Sequence, residues 1–380
     1  MAFFSFFRKK GPVIVVAPDK FKGTLTAVEV AEAVAGRLRR GFAGAEIRLC
    51  PMADGGDGTS EILGRLMGLA RASAMVTGPT GVPQMAPFYA DSRTAVIDTA
   101  SVVGLARLAG GDLHPFESTS YGVGELVGRL VAQGHETVMV GIGGTATVDD
   151  GAGMLQALGA RYFDVNGFRL PTPVTAGMLD QIYHADFTGI DRQTLKAAVV
   201  GLADVAVPLE GSLAFAAQKG VGESEIPRLR DALRNFAMAV DMALGESDEP
   251  CIHAGAGGGV GYALERVLRC PVESGAGYLL ESYGMFDGHV DLVVTGEGCL
   301  DSQTAAGKVV DVVRGEANRH GVPLVAVVGR NKLPLPVAGL EVIDASAYLG
   351  NGVLDTVSAR AALGAALDAR LIATCSRMLG

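Results

Sequence analysis

Val13-Ile-Val-Val-Ala17 runs directly into Pro18-Asp19-Lys20-Phe21-Lys22-Gly23-Thr24, and a helical pattern begins just behind it. An unbroken apolar run without alternation fits a strand buried on both faces, as in a parallel sheet. Thr26, with Glu29 three residues on, forms a capping box that marks the helix start. Val30, Val34 and Leu38 then keep one helical face apolar. The order strand, polar loop, helix recurs along the chain. Ile47–Pro51 precedes Met52-Ala53-Asp54-Gly55-Gly56-Asp57-Gly58-Thr59 and a helix to about Leu69. Val138–Gly141, Val290–Thr295 and Pro323–Gly329 open further blocks of the same kind. Such repetition predicts an α/β protein with ligand-binding groups at the carboxyl ends of strands.

Between these blocks the texture changes. Residues 75–118 are short, turn-rich and extended, and residues 160–250 mix short apolar runs with a charged helix near Glu225–Leu244. The expected fold is a discontinuous, doubly wound (flavodoxin/Rossmann-like) α/β domain over 13–74 and 286–380. A second α/β domain is inserted over 75–285, and 1–12 form a leader; 120–158 fit either domain. A chain of 380 residues suits two such domains, with ligands expected in the cleft between them.

Composition narrows the function classes. The net charge of −9, with 19% charged residues and no strongly basic segment, argues against nucleic acid and anionic membrane as partners. The five cysteines show no CxxC pair, which reads as reduced thiols in a cytoplasmic protein. The histidines show no HExxH pattern, so a dedicated zinc site is not expected. In the leader, Phe3, Phe4, Phe6 and Phe7 are too few to span a bilayer, and the positive charges follow rather than precede them.

The strongest local motif is Val138-Met-Val-Gly-Ile-Gly-Gly-Thr-Ala-Thr-Val-Asp-Asp-Gly-Ala-Gly153. Gly141, Gly143 and Ala146 match a dinucleotide fingerprint, and Asp164 follows at a suitable distance, which favours a nicotinamide enzyme. Against it, Thr147-Val148-Asp149-Asp150-Gly151 intervenes before the helix. Two carboxylates beside a phosphate make sense when Mg²⁺ lies between them, so phosphoryl transfer fits better. Thr295-Gly296-Glu297-Gly298-Cys299-Leu300-Asp301-Ser302-Gln303-Thr304, ending at Gly307-Lys308, packs acids, hydroxyls and a lysine behind a buried strand. That set can hold a metal and neutralise developing charge, although no Walker motif is present. Lys20, Lys22, Asp54 and Asp57 sit at two neighbouring strand ends. Gly257 and Gly258, within Ala254–Gly261, suit an anion-binding backbone nest or a hinge. Lys219, in a loop of the inserted region, is placed to reach across the cleft.

Together these stretches resemble the bacterial (type I) glycerate kinase family. The resemblance is carried by Ala17–Ala27, Ala53–Thr59, Ser120–Leu126, Gly141–Asp149, Gln218–Gly220, Gly257–Gly261 and Thr295–Thr304, in the family's order from Val13 onward. It implies two α/β domains and ATP-dependent, Mg²⁺-dependent phosphorylation of D-glycerate, with 2-phosphoglycerate favoured over 3-phosphoglycerate. A homodimer is compatible with it. The residues it points to are Lys22, Asp54, Lys219 and Asp301 for catalysis. Gly143, Gly144, Thr145, Gly257, Gly258, Gly296, Glu297 and Ser302 would bind the nucleotide, and Asp149 and Asp301 the metal. Several positions depart from the family pattern: Cys299 stands where Arg is usual, Val207 where Asn is usual, and Asp150 where Gly is usual. Losing a planar, five-donor cation at 299 leaves open a kinase for a related hydroxy-acid, or a nucleotide-binding homologue without turnover.

Overall fold

A computed structural model of the chain describes residues 11–108, 113–245, 249–301, 308–337, 339–349 and 355–380. Its strands are β1 (Val13–Pro18), β2 (Glu46–Leu49), β3 (Ala70–Thr77), β4 (Pro83–Ala90), β5 (Thr94–Asp98), β6 (Thr137–Ile142), β7 (Arg161–Phe163), β8 (His184–Asp186), β9 (Val199–Ala203), β10 (Val272–Ser274), β11 (Leu292–Leu300), β12 (Leu324–Asn331) and β13 (Glu341–Asp344). Two separate apolar cores form. One gathers Ile14, Val16, Val34, Val294 and Val325, the other Leu126, Val140, Tyr162 and Phe236. The chain divides accordingly into two compact units: one runs to Ala53 and resumes over Leu279–Gly380, and the other is Asp54–Tyr278.

The first unit holds a five-stranded parallel sheet in the order β2-β1-β11-β12-β13. Counted within the unit this is 2-1-3-4-5, the flavodoxin-like doubly wound order, whose direction reverses between β1 and β11. Ligands of such sheets bind outside the carboxyl ends at that reversal. The helix Ala27–Gly41 begins at the anticipated capping box, with Thr26 and Glu29 bonded reciprocally, and buries Val30, Val34 and Leu38. Strand β11 runs past Thr295, where a loop was expected. Pairing with β12 as far as Leu300↔Asn331 overrides the two glycines that suggested a break.

The second unit holds a six-stranded mixed sheet in chain order, β3-β4-β5-β6-β9-β10, and a small β7–β8 ribbon. Strands β5, β6, β9 and β10 run parallel, and β3–β4 is an antiparallel hairpin at the edge. The unit boundaries fall at Ala53/Asp54 and Tyr278/Leu279 instead of the expected 74/75 and 285/286. The physical reason is the helix Thr59–Met67, which lies on β4: a Cβ at Gly64 would come within 2.5 Å of the Tyr89 ring. Residues 120–158 belong to this unit, because β6 pairs with both β5 and β9. The Phe-rich stretch of the leader lies outside the described residues.

Candidate functional site

In the first unit the β1–β11 register, Ile14↔Leu292 through Pro18↔Gly296, brings the loop after β1 against the end of β11. Asp19 N–H donates to Gly296 O at 2.8 Å. Phe21 and Leu25 exchange backbone hydrogen bonds, which puts Lys22-Gly23-Thr24 at the tip of a tight turn with Gly23 at φ +78°. A Cβ at Gly298 would lie 3.0 Å from Lys22 N, and one at Gly329 would lie 2.6 Å from Gly298 O. Loop, β11 and β12 are therefore closely stacked, with the Phe21 ring 3.4 Å from where a Cβ at Gly329 would lie. Beyond Gly298, Cys299 Sγ donates to Asp301 Oδ2 at 3.7 Å, and Lys332 also reaches the sulfur. Burial pushes the Cys299 thiol up, with Lys332 opposing it. Lys22, Gly296, Glu297 and Asp301 thus share one sheet edge, with Glu297 buried and Lys22 exposed. Ser302 lies outside the described residues.

In the second unit the carboxyl ends of β5, β6 and β9 present Asp98, Gly143 and Asp204. Asp98 accepts from Ser60 N and Ser60 Oγ, both at 2.8 Å, and from Gly58 N at 3.1 Å, and so fixes the start of the helix Thr59–Met67. Burial raises its carboxyl to about 6 against these stabilising bonds. Asp54 Oδ1 accepts from Gly56 N at 3.0 Å. A Cβ at Gly56 would meet Asp54 Oδ1 at 3.0 Å and Asp204 Oδ2 at 3.9 Å. One at Gly143 would meet Asp204 Oδ2 at 2.6 Å. Asp54 and Asp204 therefore flank a cradle that only glycine leaves open. Two hard carboxylates suit Mg²⁺, whose remaining ligands are commonly water and phosphate. Among the described residues no group of three or more His, Cys, Asp or Glu side chains is arranged to hold a metal. Along the loop after β6, Gly143 N–H is already given to Thr99 Oγ1 at 3.2 Å, whereas Gly144, at φ +67°, is exposed.

Behind that loop lies a closed polar nest. Lys219, placed by the sequence to reach across a cleft, is instead buried within its own unit. Its Nζ donates to Thr145 Oγ1 at 3.0 Å and to Thr147 O at 2.7 Å. Burial lowers its pKa to about 8, and Asp204, Asp149 and Asp150 oppose that shift. Asp149, expected as a metal ligand, spends Oδ2 on Ser120 N, Ser120 Oγ and Gly153 N at 2.8, 2.8 and 3.1 Å. It thereby ties together the starts of the helices Tyr121–Ala132 and Ala152–Ala157, a capping task that suits a buried carboxylate. Its Oδ1, both oxygens of Asp150 and Thr147 Oγ1 are buried without a hydrogen-bond partner. Burial, and then the charge of Asp149, holds the Asp150 carboxyl well above the usual range. Gly258 covers the nest: a Cβ there would lie 1.9 Å from Thr147 O and 2.6 Å from Lys219 Nζ. Gly257 and Gly258, expected to bind the nucleotide, pack this segment over the buried polar groups.

Two residues were not singled out from the sequence. Asp204 follows the buried run Val199–Ala203, a strand-end carboxylate of the kind that drew attention to Asp54. Arg330 lies opposite Cys299 only through strand pairing, which the linear sequence does not display.

Comparison with known proteins gives the family. The model of the glycerate kinase family matches residues 14–375. The chain is 37% identical to a glycerate kinase of Bacillus subtilis over 83% of this chain and 84% of that one. It is 36% identical to a glycerate 2-kinase of Escherichia coli over 90% and 92% of the two chains. A crystal structure from Salmonella typhimurium LT2, described as that of a glycerate kinase 2, superposes with a TM-score of 0.77 at 31% identity. The match covers 96% of this chain and 98% of that one. The chain belongs to the glycerate kinase family of enzymes.

Proposed function

We propose that the chain transfers the γ-phosphoryl group of ATP to D-glycerate in a Mg²⁺-dependent reaction, with 2-phosphoglycerate as the product. The names of the relatives supply the acceptor. The observation that carries the chemistry is the Asp54–Asp204 cradle, with the buried ammonium of Lys219 facing Asp204. Mg²⁺ held by Asp204 would neutralise charge on the transferring phosphoryl group and leave Asp54 free to act as a base. Half-buried Asp54 is assigned the proton of the attacking glycerate hydroxyl. As the new oxygen–phosphorus bond forms, the bond to the ADP oxygen breaks and that proton passes to the carboxylate. Lys219 positions Thr145 and lends positive charge to the loop, where the exposed Gly144 backbone meets phosphate. In the first unit, Lys22 and Asp301 stand at one sheet edge as the remaining charged candidates.

The cysteines of the described residues are all unpaired, which supports a reducing, cytoplasmic setting. Among the described residues no helix is long and apolar enough to cross a membrane. A kinase for another small hydroxy-acid is the second reading, carried by Cys299. Phosphorus NMR of the product formed from D-glycerate, ATP and Mg²⁺ tests the proposal. A 2-phosphate resonance that disappears when EDTA is present supports it. A 3-phosphate product would refute the regiochemistry, and turnover undiminished by EDTA would refute the metal.

A further inference from the structure

The carboxyl edge of the first unit's sheet carries a cation that no assigned role uses. Cys299 on β11 and Arg330 on β12 are in-register partners of a parallel pair. Side chains alternate along each strand, so paired residues project to the same face, and neighbouring strands lie about 4.8 Å apart. Arg330 is exposed. Lys332, two residues on, reaches the sulfur of Cys299, and Asp301 accepts from the same sulfur. Gly298 and Gly329 bring the loop bearing Lys22 onto these strand ends. Lys22, Arg330 and Lys332 thus meet Asp19, Glu297 and Asp301 at one edge, beside the point where the strand order reverses.

We infer that Arg330 binds the carboxylate of the hydroxy-acid substrate, supplying from β12 the guanidinium that the resemblance leads one to expect at position 299. The inference rests on the proposed hydroxy-acid kinase activity. The guanidinium fork matches a carboxylate with two parallel N–H···O bonds, a geometry that neither Lys22 nor Lys332 offers. A carboxylate is present in glycerate and absent from ATP, so the assignment separates the two substrates. Arg330 is accordingly a specificity-determining residue for the acceptor. Lys332, held by Cys299, offers a single ammonium and does not bind in the same bidentate way.

The test is steady-state kinetics of Arg330→Ala, Arg330→Lys and the double variant Arg330→Ala/Cys299→Arg, with melting temperatures measured alongside. Arg330→Ala should raise KM for D-glycerate by about ten- to a hundred-fold, the range expected for losing a charge-assisted pair. KM for ATP should stay within about two-fold and the melting temperature should not move, because the side chain is exposed. Arg330→Lys should recover part of the loss. Cys299→Arg in the Arg330→Ala background should recover most of it, since the two positions are cross-strand neighbours. An unchanged KM for D-glycerate in an active Arg330→Ala enzyme would overturn the inference while leaving the kinase reading intact. A KM for ATP that rises as much as that for D-glycerate would also overturn it. Wild-type protein inert toward D-glycerate would instead remove the reading on which the inference rests.

Discussion

At the edge of the five-stranded sheet Lys22, Arg330 and Lys332 stand exposed, whereas beyond β6 in the six-stranded sheet Asp149, Asp150 and Lys219 are buried. Both regions grow from the same grammar of apolar strand, glycine-rich loop and helix. The difference lies in what covers the loop. After β11, glycines let strands and loop stack edge to edge, and the charged side chains project outward. After β6, the segment around Gly258 folds back over Thr147 and Lys219, and the charges are sealed in. Exposed charges can bind and release an anion at little cost to the fold. Buried ones must be bonded to one another or to the backbone, and each unpartnered atom among them carries a desolvation cost.

Substitutions should separate the two regions by readout. The largest effect is expected at Lys219. Lys219→Met should lower kcat by roughly 10²- to 10³-fold, the usual loss for one preorganised electrostatic group. In the unaltered enzyme, activity that needs the ammonium should fall as the pH rises through about 8. Stability should move the other way. The pKa of Lys219 is depressed in the folded state, so the unfolded chain binds more protons between about 8 and 10.5, and stability should rise across that window. An alkaline limb of the pH–rate profile that survives in Lys219→Met would detach that limb from this residue.

Asp149→Ala comes next. It removes the acceptor for two helix-start N–H groups and a hydroxyl, and should cost about 2–4 kcal/mol, read as a lowered melting temperature. A neutral effect would mean that these helix starts find other acceptors. The smallest effect has the opposite sign. Asp150 sits at φ +48° with both oxygens buried and unpartnered, so Asp150→Gly should stabilise the protein by about 1–2 kcal/mol. Because its carboxyl is raised in the fold, the stability it contributes is present below its ordinary 3.8 and lost as pH rises. The gain from Asp150→Gly should therefore be larger at pH 7 than at pH 4, and denaturant titrations at both values check this.

Much of this was legible in the linear chain because it rests on local physics. Val13–Ala17 reads as a buried parallel strand from its unbroken apolar run, and Thr26 and Glu29 announce a helix start from their spacing alone. The family motifs located both loop systems. The remainder depends on contacts distant in sequence. Gly296 and Gly298 look like a loop until β12 pairs alongside them. Lys219 looks like a surface lysine until the Gly258 segment closes over it. Asp149 looks like a metal ligand until Ser120, twenty-nine residues earlier, claims one of its oxygens. The helix Thr59–Met67 falls in the second unit and not within the expected 13–74 stretch, because nothing local reveals which Tyr ring its Gly64 will meet.

The central claim is most directly tested by measuring ADP release from ATP and Mg²⁺ with D-glycerate, against L-glycerate, glycolate, lactate and tartronate. The account predicts turnover with D-glycerate and little with the others. Turnover with one of the neighbours but not with D-glycerate, or silence with all of them despite bound ATP, would contradict it.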